Sequence, residues 1–133
     1  MTTAELSNSV SQPLILIADD NFDNRFIAST MLRHSGYRVI EAVNGGAAIR
    51  LARAEHPALI LMDIGMPDID GWTATRVLKD DPQTRKTIIL AFTAHALPGA
   101  ADQAREAGCD GYLAKPISPG ELVRSVGAAL AAT

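Results

Sequence analysis

Three short, uninterrupted apolar runs punctuate the chain: Leu14-Ile15-Leu16-Ile17-Ala18, Leu59-Ile60-Leu61-Met62 and Ile88-Ile89-Leu90-Ala91-Phe92. Runs of this length without polar alternation are expected of strands buried on both faces. Each ends abruptly in a polar residue, at Asp19-Asp20, Asp63 and Thr93. Two shorter segments, Arg38 to Ala42 and Gly111 to Ala114, read as further strands, the second ending at Lys115-Pro116.

Between the strands the spacing becomes helical. From Asp23 to Ser35 the pattern predicts a helix with Phe26, Ile27, Thr30, Met31 and His34 on one stripe, stopped by Gly36. Asn44 caps a second helix to about His56, with Ala48, Leu51 and Ala52 inward. A loop from Gly65 to Gly71 precedes a third, to about Lys79, and a fourth is expected from near Pro98 to Ala107. Ser118-Pro119-Gly120-Glu121 has the form of a capping box with proline at the first helical position, and Leu122, Val126, Ala129 and Leu130 then mark an apolar face. Five strand–helix units imply an α/β fold, a doubly wound parallel sheet covered on both faces with right-handed crossovers. Residues 1–12 are polar and aperiodic and read as a loose tail before a single domain spanning 13–133.

Open sheets of this kind place functional residues just beyond the carboxyl ends of their strands. Asp19, Asp20, Asp63, Thr93 and Lys115 therefore converge on one edge. Three carboxylates in a small cleft stay ionised together only beside a cation, and a partly open set of oxygen ligands suits Mg²⁺. Lys115 adds a movable positive charge and Thr93 a hydroxyl donor. A nucleophile, a metal, a cationic clamp and a hydroxyl donor are what transfer of a phosphoryl group to a carboxylate requires. The bland reading of Asp19 and Asp20 as a helix cap, or of Asp63 as a solvated loop carboxylate, explains each residue singly but not the set.

These residues carry a resemblance. Asp19-Asp20, then Asp63-Ile64-Gly65-Met66-Pro67 with Asp70-Gly71, then Thr93-Ala94, then Lys115-Pro116 are similar to the receiver domain of two-component response regulators, over Leu14 to about Leu130. The resemblance implies a flavodoxin-like sheet of order 2-1-3-4-5 with five helices. It implies that Asp63 is the phosphoacceptor and that Asp20, Asp63 and the main-chain carbonyl of Gly65 hold Mg²⁺, with Asp19 acting through water. Thr93 and Lys115 would hold the phosphoryl oxygens, Tyr112 would be the switch aromatic, and the bond before Pro116 would be cis. Gly65 replaces the side chain often found two residues after the acceptor, so any influence of that side chain on phosphoryl lifetime is lost. The implied function is a phosphorelay step. A histidine kinase or histidine phosphotransfer protein supplies the phosphoryl group, and a downstream protein reads the face of the fourth helix, fifth strand and fifth helix.

Bulk properties narrow the field. The chain has 133 residues, 47% hydrophobic and 20% charged, ordinary for one globular domain. Twelve basic and fifteen acidic residues give a net charge of −3 with no basic cluster, so no nucleic-acid partner is expected. One cysteine, Cys109, excludes an intrachain disulfide, and no membrane span or signal pattern is present, so a cytoplasmic protein is expected, monomeric or weakly dimeric on phosphorylation. Because little follows the last helix, output by protein contact rather than by an attached domain is expected, with a receiver excised from a hybrid histidine kinase as the nearest alternative. A Mg²⁺-dependent aspartyl-phosphate phosphohydrolase is disfavoured, since Gly65 stands where that chemistry needs a second aspartate. A flavin-binding module is disfavoured because Asp19-Asp20 would repel a phosphate. His34, His56 and His95 have no metal-binding spacing, and Trp72 and Cys109 read as packing residues.

Overall fold

The computed structural model describes residues 12–93, 99–115 and 118–132. The strands are β1 (Leu14–Ala18), β2 (Arg38–Ala42), β3 (Leu59–Asp63), β4 (Ile88–Thr93) and β5 (Gly111–Ala114). The helices alternate with them: α1 (Phe22–His34), α2 (Gly45–Glu55), α3 (Gly71–Asp80), α4 (Ala100–Ala107) and α5 (Pro119–Ala131). All strands pair in parallel in the order β2-β1-β3-β4-β5, with Leu16 opposite Ile40 on one side and Ile60 on the other. This is the doubly wound five-stranded sheet that the apolar runs imply.

Because side chains alternate along a strand, the central strands fill two cores. Leu16, Ala18, Ile60, Met62 and Ile89 meet Ala48, Ile49 and Ala52 of α2 and Ala74 and Leu78 of α3. Ile15, Ile17, Leu59, Leu61 and Leu90 meet Ala28 and Leu32 of α1 and Leu122 and Val126 of α5. Full burial of each leucine, isoleucine, valine or methionine among these contributes roughly 1.5–3 kcal/mol. The helix starts follow local chemistry: Asn44, Asp70 and Ser118 each accept a backbone N–H three residues on.

The apolar stripe read on α1 is not the face it buries. Phe26, Ile27, Thr30 and His34 are exposed and Met31 is half-buried, whereas Ala28, Ser29 and Leu32 are buried. Small side chains let α1 approach the sheet closely, and the larger apolar residues are left facing outward. The helix also starts one residue earlier than expected, because Asn21 caps it by accepting from Asn24 N at 2.9 Å. Residues 1–11, His95, Pro98 and Pro116, with the expected cis bond, lie outside the described residues.

Candidate functional site

The parallel sheet delivers five of the predicted residues to its carboxyl edge. Asp19 and Asp20 follow β1, Asp63 closes β3, Thr93 closes β4 and Lys115 follows β5. Asp19, Asp63 and Thr93 are buried, and Asp20 is exposed. Ligand oxygens of Asp19, Asp20 and Asp63 all lie within 4.8 Å of one another. Lys115 Nζ is 3.0 Å from Asp19 Oδ2 and 3.6 Å from Asp63 Oδ1, and it lies 5.0 Å from the centre of the Phe92 ring. The backbone joins the two last strands at the site, since Lys115 N donates to Thr93 O at 2.6 Å.

The aspartate pair does not cap α1, because Asn21 does so. The Asp19 carboxylate instead accepts from Asn21 N at 2.9 Å and from Lys115. Gly65 N donates to Asp63 Oδ1 at 3.1 Å, and a Cβ on Gly65 would lie 3.7 Å from that oxygen. A side chain there would border the Asp63 carboxylate; glycine leaves it open.

Electrostatics single out Asp63. Burial pushes its carboxyl above the ordinary 3.8, and the charges of Asp19 and Asp20 add to that, while the Gly65 N–H and Lys115 act in the opposite direction. Three crowded acids facing Lys115 form a site short of positive charge. Two buried carboxylates and one exposed carboxylate, open on one side, fit a hydrated hard dication.

Two side chains that the sequence did not single out hold these loops. Asp68 accepts from Gly45 N and Gly46 N, both at 2.9 Å, tying the segment after β3 to the start of α2. Arg25 Nη1 donates to the carbonyl of Asp19 at 2.9 Å. Neither pairing has a local signal, because the partners are distant in sequence or lie on the main chain. Tyr112, on β5, lines a cleft beside Ala104 and Arg105 of α4, and its buried hydroxyl has no hydrogen-bond partner among the described residues.

With this geometry in view, the likeness to known proteins is extensive. The signature of the response regulator receiver domain matches residues 15–127. The chain belongs to the response regulator receiver family. The polar-differentiation response regulator DivK of Brucella ovis is 38% identical over 112 residues, covering 84% of this chain and 91% of the relative. A response regulator structure from Chloroflexus aurantiacus superposes with a TM-score of 0.87 at 34% identity, covering 91% of this chain and 99% of that one. The receiver domain of a sensor histidine kinase from Pseudomonas aeruginosa gives a TM-score of 0.84 at 36% identity, covering 91% and 99%, and that protein has a magnesium ion coordinated in its active-site cleft. Phosphorelay signalling is the function of this receiver fold. Among the described residues no helix is long and apolar enough to cross a membrane.

Proposed function

We propose that this receiver takes a phosphoryl group onto Asp63 from the phosphohistidine of a histidine kinase or phosphotransfer protein, with Mg²⁺ bound by Asp20, Asp63 and the Gly65 carbonyl. The observation that carries the reading is the acid trio with Lys115 beside it at the sheet edge. An Asp63 oxygen attacks phosphorus as the phosphorus–nitrogen bond of the donor breaks, leaving an acyl phosphate and a histidine. Bound Mg²⁺ supplies charge neutralisation at the phosphoryl oxygens. Lys115 exchanges its contact with Asp19 for one with the incoming oxygens, and the Thr93 hydroxyl donates to them. Asp19 acts through water. The protein is not a dedicated enzyme: it catalyses its own phosphorylation on Asp63 and the later loss of the phosphoryl group to water.

Incubation with acetyl phosphate tests this by intact mass. One phosphoryl addition is expected with Mg²⁺ and none in chelator, and Asp63→Asn should abolish it. Undiminished labelling of that variant would contradict the assignment.

The donor must approach past α1, where Phe22, Phe26 and Ile27 are each more than half exposed and offer apolar surface beside the site. For output, Thr93 moving toward the phosphoryl oxygens changes the space beside β5, and Tyr112, whose buried hydroxyl has no partner among the described residues, reorients to fill it. That repacks the face of α4, β5 and α5, which a downstream protein reads. Thr93→Ala and Tyr112→Ala should retain phosphorylation of Asp63 while weakening the hydrogen-exchange response across residues 99–125 to a beryllofluoride mimic. A wild-type response in both variants would break this coupling.

A further inference from the structure

Asp20 is the exposed member of the acid trio, so its direction depends on how its backbone is held. The preceding residue is fixed at several points. Asp19 N donates to Ala42 O of β2 at 3.1 Å, and its carboxylate takes Asn21 N and Lys115. Its carbonyl oxygen, the oxygen of the peptide group joining Asp19 to Asp20, takes Arg25 Nη1 at 2.9 Å. Turning that peptide swings the Asp20 side chain relative to Asp63.

Arg25 is itself anchored. Its Nε donates to Glu41 Oε1 on β2 at 3.2 Å, and its side chain is only 12% exposed. The ring of Phe22 lies 5.7 Å from the guanidinium carbon and covers it. A rigid planar fork that bonds two partners at once locks a geometry that an ammonium cannot reproduce. Another arginine of the same helix offers a contrast: Arg33 Nη2 donates to Val39 O of β2 at 3.2 Å, toward the other end of α1.

We propose that Arg25 is a positioning residue of the cation site, holding the Asp19–Asp20 peptide so that the Asp20 carboxylate faces the divalent ion, with Glu41 as its anchor. The proposal rests on the reading of this edge as a Mg²⁺ site. It makes a prediction opposite in sign to the electrostatic one. A guanidinium beside a cation site repels the ion, so by charge alone its removal would tighten Mg²⁺ binding. By positioning, its removal weakens binding, and keeping the charge without the fork does not rescue it.

Calorimetric titration of Mg²⁺ into the full chain decides between them, using the wild type, Arg25→Ala, Arg25→Lys and Arg33→Ala. Both Arg25 variants should bind about tenfold more weakly, the usual size of losing a partner that orients a ligand. Arg33→Ala, which removes a contact between α1 and β2 away from the acids, should keep the wild-type affinity. Amide NMR of the metal-free chain should show Asp20 and Asn21 displaced in the Arg25 variants alone. Unchanged or tighter binding in Arg25→Lys, or equal weakening in Arg33→Ala, overturns the proposal. Should Arg25→Ala fail to fold, Arg25→Lys alone separates positioning from charge. A wild-type chain that binds no Mg²⁺ overturns the cation site itself and this proposal with it.

Discussion

The two loops that carry the acids are held by different physics. After β1, Asp19 is gripped by polar contacts with Lys115, Arg25 and Asn21. After β3, the chain is wedged by close approach. A Cβ on Gly71 would lie 2.6 Å from both Asp63 O and Ile64 Cα, and one on Gly45 would collide with Ile69 O. The β1 loop is therefore built to answer changes in charge, because the lysine that holds Asp19 also reaches Asp63. The β3 loop is tightly packed, so that Asp63 keeps its place when the charge around it changes.

The largest effect should come from breaking the wedge. Gly71→Ala forces backbone apart at the acceptor and should cost about 2 kcal/mol, within the usual range for overpacking. Chemical denaturation would read the loss, and phosphorylation should slow with it. A variant of wild-type stability would show that the β3 loop yields as readily as the other.

The next effect is one of charge. The folded chain binds the Asp63 proton more tightly than the unfolded chain, because burial and then the neighbouring acids raise its pKa above 3.8. That contribution to stability is complete below 3.8 and is lost as pH rises through the raised value. Asp63→Asn, neutral throughout, should thus melt higher than wild type at neutral pH in chelator, with the gain vanishing in mild acid. Added Mg²⁺ should stabilise the wild type more than the variant.

Asp68 should behave in the opposite sense and more weakly. The N–H groups of Gly46, Ile69 and Gly45 hold its carboxyl below the ordinary 3.8. Its stabilising contribution is present above that value and lost as pH falls through the lowered one. Asp68→Ala should speed hydrogen exchange at Gly45 and Gly46 with or without Mg²⁺. If the exchange depends on Mg²⁺, the far part of the β3 loop, where Asp68 ties it to Gly45 and Gly46, moves with the ion instead of standing apart from it. The smallest effect is expected from Phe26→Ala, which should slow transfer several-fold from a phosphorylated protein donor but not from acetyl phosphate.

Much of this was legible in the sequence for a physical reason. Strands buried on both faces are apolar throughout, so β1, β3 and β4 stand out, and the residue ending each is forced to the functional edge. The face of α1 was not legible, because burial there falls on Ala28 and Ser29, while the more conspicuous Phe26 and Ile27 point outward. Arg25 and Asp68 were hidden for another reason: they act on backbone groups, and spacing along the chain carries no trace of such pairings. Asn21 was overlooked because the neighbouring aspartates are equally good caps.

The most direct test of the central claim is an amide NMR map of the full chain titrated first with Mg²⁺ and then with beryllofluoride. Mg²⁺ should shift residues 19–21 and 63–65. Beryllofluoride should then produce larger shifts centred on Asp63, reaching Thr93, Tyr112 and Lys115, with Gly45, Gly46 and residues 68–71 nearly still. A beryllofluoride response that needs no Mg²⁺, or one centred away from Asp63, would contradict it.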